Sequence, residues 1–309
     1  MRVFVAGGTG TLGRPTLRLL REAGHEVVGL ARTPERGEDL RKLGAEPVVG
    51  ELFDLRTMTE AAAGCDAILH LATRIPPLTK MRKLANWRDN DRLRSQGASV
   101  LVSAALAAKV KIYVQESITF LYQSLGDTQI FETAPIDAPQ PLASARDAER
   151  ETARFTARGG QGVVLRFGSF YSADAPSTQA TVALARRRMF TVLGPGDHYM
   201  SSIHVDDAAA ATVAALSVPA GIYNVVDDEP VPMREYVAAL TDAFGFKKAF
   251  HLPLGIARLA FGPGVEAFTR SQRVNNTMFK AVSPWRPRYP GVRQGWRAVA
   301  EAMRGQKSA

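Results

Sequence analysis

The chain opens Met1-Arg-Val-Phe-Val-Ala-Gly7-Gly-Thr-Gly10-Thr-Leu-Gly13. A short apolar run rich in Val and Phe stops at glycine, and from Pro15 onward Leu17, Leu20 and Ala23 recur at helical spacing. The order is strand, tight glycine turn, helix. A pyrophosphate requires such a turn, with no Cβ in its path and a helix start whose unpaired amides and dipole face the anion. Gly7, Gly10 and Gly13, with Thr9, Thr11 and Leu12 between them, supply that arrangement, so the expected ligand is a dinucleotide.

The same alternation continues outward from the turn. The pattern predicts strand 25–31, helix 34–43, strand 46–49, helix 56–63 and strand 66–71. A proline-containing loop over 73–83 leads to a long helix over 87–108, strand 111–115, helix 143–158 and strand 162–167. Strands and helices alternating at these lengths imply an α/β fold, a doubly wound parallel sheet covered on both faces. Beyond Tyr171 the rhythm is less regular, with a helix over 205–216, a strand over 221–226, a helix over 233–244, and short elements over 252–264 and 284–295. The expected organisation is a cofactor domain over 1–170, completed by segments returning from about 200–230, and a smaller C-terminal substrate-binding lobe within 171–309.

Of the 309 residues 46% are hydrophobic, enough for a large core and too many for a disordered chain. Cys65 is the single cysteine, which excludes an internal disulfide, and His25, His70 and His251 show no ligand spacing, so no metal site is expected. No signal-peptide or membrane-spanning pattern is present, and the expected setting is cytoplasmic, without a membrane partner. The formal charge of +9 is unevenly placed. From Thr269 onward nine basic residues stand against one acid, Glu301, a net +8, and the first 268 residues carry the remaining +1. That tail has no nucleic-acid motif, so nucleic acid is not expected as a partner; a field steering an anionic small molecule is the expectation kept.

At the end of the second strand, where an Asp or Glu would hold a ribose 2′-hydroxyl, the sequence reads Gly29-Leu-Ala-Arg32, with no carboxylate before Glu35. A guanidinium there pairs with a 2′-phosphate, which favours NADP(H) over NAD(H).

Together these motifs resemble the extended and atypical short-chain dehydrogenase/reductase superfamily, in its NAD-dependent epimerase/dehydratase branch, and the resemblance implies a Rossmann-type fold. In its terms Asp54-Leu55 resembles the segment beside adenine, and His70-Leu71-Ala72-Thr73 the cofactor contact after the fourth strand. Asn90-Asp-Arg-Leu-Arg94 with Gly97 and Leu101 resembles its long helix, and Leu165-Arg-Phe167-Gly168-Ser169-Phe-Tyr171 the segment near nicotinamide. Ser202 to Ala208, Gly221 to Val226 and Pro287-Arg-Tyr-Pro290 look like its late motifs.

Members of that superfamily use a Tyr as proton donor, a Lys four residues on that lowers the Tyr pKa and holds the ribose, and a Ser or Thr against the substrate oxygen. Ser117 matches the Ser, at the end of the strand predicted over 111–115, with Thr119 nearby; the Tyr and Lys positions hold Leu142 and Arg146. None of the seven tyrosines is followed by Lys at the fourth position. Arg146 can still hold a ribose but cannot relay a proton. The candidates for a substitute acid are Glu116, just before Ser117, then Tyr122, Tyr171 and the His198-Tyr199 pair; the last three read more readily as packing or pocket-wall residues. His204 reads as a structural partner and Asp206-Asp207 as caps of the helix that follows. The expected function is an atypical NAD(P)(H)-dependent oxidoreductase or epimerase/dehydratase-like enzyme acting on a small carbonyl or sugar-like substrate, with a non-standard proton donor. The alternative is a catalytically silent NADP(H)-binding sensor or assembly protein. Either is a monomer or a homodimer, the helices over 87–108 and 143–158 being the candidate seam.

Overall fold

Side chains along β1 (Arg2–Ala6) alternate between two cores. Val3 and Val5 pack with Leu17 and Leu20 of α1 (Gly13–Glu22), whereas Phe4 and Ala6 pack with Met58, Ala61 and Leu101 on the opposite face. A strand buried on both sides belongs inside a sheet, and that is where β1 lies. The computed structural model describes residues 1–77, 80–81, 83–256 and 269–308.

One parallel sheet carries the fold: β1, β2 (Glu26–Ala31), β3 (Glu46–Val49), β4 (Ala67–His70), β5 (Ile112–Ile118), β6 (Gln161–Phe167) and β7 (Gly221–Val225), in the order β7-β6-β5-β4-β1-β2-β3. The chain winds one way from β1 to β3 and the other way from β4 to β7, which opens a crevice at the carboxyl ends of β1 and β4. One face is covered by α1, α2 (Pro34–Lys42) and α8 (Val205–Ala214), the other by α3 (Leu55–Ala62), α5 (Ala98–Ala107) and α6 (Ser144–Thr156). A third cluster gathers Tyr171, Ala185, Tyr236, Leu240 and Trp296, joining α7 (Pro176–Arg186), α9 (Met233–Phe244) and α11 (Val292–Ser308). Between α9 and α11 lies α10 (Thr277–Val282), whose Phe279 returns to the core of the main sheet.

One expectation is refined and two are corrected. The long helix over 87–108 is present but carries a bulge: α4 (Arg88–Arg92) passes through a π-helical turn (Leu93–Gly97) into α5. The extra residue of that turn carries Arg94 into the interior, where it is 1% exposed, and a Cβ on Gly97 would lie 2.8 Å from Leu52 Cδ2. Second, β5 does not stop at Gln115 but runs to Ile118, because β6 pairs with it up to Ile118 opposite Phe167. Third, the cap of α8 is His204, whose Nδ1 accepts the Asp206 amide at 3.2 Å; Asp207 instead accepts the amides of Arg288 and Tyr289 at 2.7 and 3.0 Å and so holds the segment ahead of α11. Of the short elements expected over 252–264, those at 257–264 fall outside the described residues.

Candidate active site

The glycine turn at the end of β1 is shaped by close approach. Gly7 has φ +97°, and a Cβ there would lie 2.6 Å from the Ala72 nitrogen just after β4; one on Gly13 would lie 2.7 Å from Gly8 Cα. The Gly10 amide closes the turn on the Gly7 carbonyl at 3.0 Å, and Arg14 Nε reaches the Thr9 carbonyl at 3.1 Å. At the start of α1, Leu12 provides no side-chain cap and the first turn holds no acid, so the helix amides beside Thr11, Leu12 and Gly13 face outward unopposed. A helix end left this way fits a pyrophosphate.

Around the turn the other expected cofactor residues sit at neighbouring strand ends. Arg32 follows β2, exposed and without a side-chain partner among the described residues; the cap of α2 is made by Thr33, which accepts the Arg36 amide. Asp54 caps α3, taking the Arg56 amide at 3.0 Å and the Thr57 hydroxyl at 2.6 Å, and these bonds hold its carboxyl below the usual range; Leu55 beside it is exposed. Leu71 extends the β4–β1 ladder by donating its amide to the Ala6 carbonyl at 2.8 Å, Ala72 touches Gly7, and Thr73 is exposed. After Phe167 closes β6, Gly168 donates to the Val225 carbonyl at 3.1 Å and Ser169 to the Ser201 carbonyl at 3.0 Å, and a Cβ on Gly168 would lie 2.8 Å from that Ser201 oxygen. These residues fit a dinucleotide: the cradle is preformed, and the Arg32 guanidinium and the first amides of α1 are left unengaged.

The end of β5 is built differently. Ser117 is wholly buried and donates to Glu149 Oε1 at 2.7 Å; Glu149 is gripped by Arg166, Nε to Oε1 at 2.8 Å and Nη2 to Oε2 at 2.6 Å. Arg166 Nη1 also donates to the Tyr122 hydroxyl at 2.9 Å, and that hydroxyl donates to Asn224 Oδ1 at 2.7 Å. Burial would lower the Arg166 pKa, but Glu149 and Tyr122 outweigh it and the guanidinium stays charged; burial raises the Tyr122 pKa against the pull of Arg166. One residue away, Glu116 is 4% exposed and takes Arg94 Nη2 on both oxygens, at 2.7 and 2.9 Å. Burial raises its pKa and Arg94 opposes the rise.

Each of the candidates at the end of β5 therefore has another occupation. Glu116 is no free carboxyl at a strand end, because Arg94 fills both its oxygens; Ser117 lies inside the strand with its proton given to Glu149; the Tyr122 hydroxyl is engaged twice. Tyr171 is buried, stacked 5.3 Å from Trp296, and donates to Asp227. Tyr199 lies under Arg273, 5.1 Å from the guanidinium, and burial lowers the His198 pKa. Leu142 packs with Ile118, Leu121 and Ala145, while Arg146, near the start of α6, is exposed and has no side-chain partner among the described residues. Arg94, Glu149 and Arg166 were not singled out from the sequence as site residues. Their signal was available in Arg166, a lone charge in an apolar strand, and in Arg94, one helical turn after Asn90, whose side chain is also wholly buried.

Part of the basic tail is engaged by the rest of the chain. Arg270 pairs with Asp137, Lys280 with Asp228 and Arg293 with Glu235, while Arg286 donates to the carbonyls of Lys280, Ser283 and Trp285. Among the described residues no group of His, Cys, Asp and Glu is placed to hold a metal ion, and no helix is long and apolar enough to cross a membrane.

Residues 3–225 match the NAD-dependent epimerase/dehydratase family. The 3-diazoavenalumate denitrifying reductase of a Streptomyces species is 32% identical over 96% of this chain and 99% of its own. The NAD(P)H azoreductase of Xenophilus azovorans is 29% identical over 79% of this chain and 74% of its own. Among solved structures, the dTDP-glucose 4,6-dehydratase DesIV of Streptomyces venezuelae, with NAD and TYD bound, superposes with a TM-score of 0.81 over 100% of this chain and 98% of its own, at 19% identity, a likeness of fold. The match across most of the chain, on a sheet whose crevice fits a dinucleotide, establishes that the protein belongs to the NAD-dependent epimerase/dehydratase family and is an NAD(P)-binding enzyme of the oxidoreductase and epimerase kind.

Proposed function

We propose that the protein is an NADPH-dependent reductase for acceptors electron-poor enough to take hydride without a proton from the enzyme, azo and diazo nitrogen first and activated carbonyls second. The observation that carries this reading is the end of β5, where Glu116, Ser117 and Tyr122 are all engaged in buried bonds to Arg94, Glu149, Arg166 and Asn224. A reduction that needs general acid catalysis loses roughly 10²–10⁴ in rate without it. Acceptors that carry their own electrophilicity avoid that loss; an azo bond or activated carbonyl takes hydride first and then one proton from water, with no acid on the protein. For an arene diazonium, hydride on the outer nitrogen, followed by loss of N2 with that hydrogen passing to the ring carbon, balances with no added proton. Two relatives are named for diazo and azo substrates, which supports the same class.

Reduced nicotinamide supplies the hydride when NADPH is bound. Gly7, Thr9, Gly10, Thr11, Leu12 and Gly13 hold the pyrophosphate, Arg32 the 2′-phosphate, Asp54 and Leu55 the adenine side, Leu71 to Thr73 and Phe167 to Ser169 the nicotinamide side, and Arg146 the ribose. Glu116, Ser117 and Tyr122 keep the floor of the site rigid and dry. The test follows loss of the reduced-nicotinamide absorbance with a diazonium salt, an azo dye and an unactivated ketone, in H2O and D2O. Turnover of the first two with a solvent isotope effect close to unity, retained in Tyr122→Phe, is the expected result. Faster reduction of the ketone with a large solvent isotope effect would overturn the reading, because it requires a protein acid.

A further inference from the structure

A polar cavity of about 300 Å3 opens beyond β7, lined by Asp227, Asp228, Glu229, Gln129, Arg273 and Asn275 among others. Four strand spacings separate β7 from β1, about 19 Å, so the cavity is not part of the crevice at the glycine turn. None of the residues that line it was assigned to cofactor or catalysis.

Its two sides differ in chemistry. The acceptor side is the turn that follows β7. Asp227 is 2% exposed; its Oδ2 accepts from the hydroxyls of Ser202 and Tyr171 at 2.9 and 3.3 Å, and its Oδ1 has no hydrogen-bond partner. Burial raises the Asp227 pKa well above the usual carboxylate range, with nearby Asp207 adding to the rise and the Ser202 and Tyr171 hydroxyls opposing it, so a cation beside Oδ1 is what would favour its charged form. Asp228 is matched by Asn276 Nδ2 at 2.8 Å and by Lys280 Nζ at 2.7 Å, whereas Glu229 is exposed and has no side-chain partner among the described residues. The donor side is a pair of short strands in which Arg273 lies opposite Gln129. Arg273 is fixed by the Asp127 carbonyl and the Tyr199 ring, yet its Nε has no partner. Gln129 Oε1 takes Asn275 Nδ2 at 3.3 Å, which leaves its NH2 free. Asn276 donates to both the Val226 carbonyl and Asp228, locking the two sides together.

With Asp228 matched by Lys280, the ionisable groups left without an ionic partner are Asp227 and Glu229 on one side and Arg273 on the other, and Asp227 Oδ1 and Arg273 Nε are buried without a hydrogen bond. Such orphaned atoms are costly to bury and call for a ligand group or water. A simple cation leaves Arg273 unmet, and a simple anion meets the carboxylates. We propose that this cavity is a second ligand site for a small zwitterion, its ammonium held by Asp227 and Glu229 and its carboxylate by Arg273.

Calorimetric titration of the full chain saturated with NADPH tests this, using L-serine and L-glutamine as zwitterions, ethanolamine as the ammonium alone and glycolate as the carboxylate alone. At least one amino acid is expected to bind tenfold or more tighter than either half. Glu229→Gln and Arg273→Gln should each weaken it at least tenfold while NADPH affinity stays unchanged. Asp227→Asn should do the same, but it also alters buried bonds to Ser202 and Tyr171, so the exposed Glu229 is the decisive position. No heat from either amino acid at millimolar concentration, equal binding of all four probes, or unaltered binding in Glu229→Gln would overturn the assignment. NADPH binding is read separately, so neither result bears on the hydride reading.

Discussion

The glycine turn of β1 and the end of β5 lie two strands apart in one sheet and are built on opposite terms. At the turn the polar groups stand open: an uncapped helix start, an exposed Arg32, glycines where a Cβ would strike backbone. At β5 every polar side chain in the series Glu116, Ser117 and Tyr122 is buried and engaged by another residue of the chain. Open polar groups persist in a folded protein where a ligand completes them; sealed ones hold shape. On the proposed reading the contrast assigns cofactor capture to preformed backbone and leaves the end of β5 to hold shape, so that binding and proton chemistry are separated.

The largest expected effect breaks the sealed side. Glu116→Gln leaves the Arg94 guanidinium, 1% exposed, without a counter-charge, and should lower unfolding free energy by about 3–5 kcal/mol in a denaturant titration. Replacing both partners, Arg94→Met with Glu116→Leu, should return most of it, because the desolvation of two charges is removed along with their attraction. A double variant as unstable as the single one would mean that the pair is needed as a pair. On the open side, Gly7→Ala forces a side chain into φ +97° and against Ala72, costing about 2–5 kcal/mol and abolishing NADPH binding by fluorescence titration.

These two sites were unequally visible in the sequence. Gly7, Gly10, Gly13 and Arg32 are local: the strand, turn and helix that give them meaning lie within a few residues, and the parallel sheet follows from repeating that unit. The partners of Glu116 and Ser117 are not local. Arg94 is 22 residues away, and although it follows buried Asn90 by one helical turn, nothing local to it names Glu116 as its partner. Glu149, 32 residues from Ser117, stands in a helix where Arg146, Arg150, Glu151 and Arg154 give the pattern of a solvated face, yet its side chain is 9% exposed because Arg166 waits beneath it. The capping role given to Asp207 failed for a related reason: the amides it accepts, those of Arg288 and Tyr289, come from 81 and 82 residues downstream.

Asp207 supplies a pH test of the sealed side. Burial pushes its carboxyl up to about 6 from the usual 3.8, so its stabilising contribution is complete at low pH, below the unfolded value, and is lost as pH rises through the folded value. Asp207→Asn does not titrate. From about pH 3 to pH 7, wild-type stability should therefore fall relative to that variant by about 3 kcal/mol. Parallel curves for the two proteins would show that the carboxyl is solvated. A smaller effect belongs to the open side: Arg32→Ala should weaken NADPH by about 2 kcal/mol, near thirtyfold, and leave NADH within twofold. Equal losses for both cofactors would place Arg32 on the adenine and remove it from the 2′-phosphate.

The smallest effect discriminates best between the two designs. Tyr122→Phe deletes one hydroxyl that donates to Asn224 and accepts from Arg166. Arg166 keeps both bonds to Glu149, and Asn224 keeps its amide bond to the Asn275 carbonyl, so the loss should be about 1–2 kcal/mol of stability. If the residue is scaffold, kcat with a diazonium or azo acceptor should remain within twofold and its pH profile should not move. If the hydroxyl hands a proton to substrate, kcat should drop by roughly 10²-fold or more while NADPH affinity holds. That result would reopen the end of β5 as a reacting group and erase the contrast with the glycine turn, because a sealed network would then have to open once in every turnover.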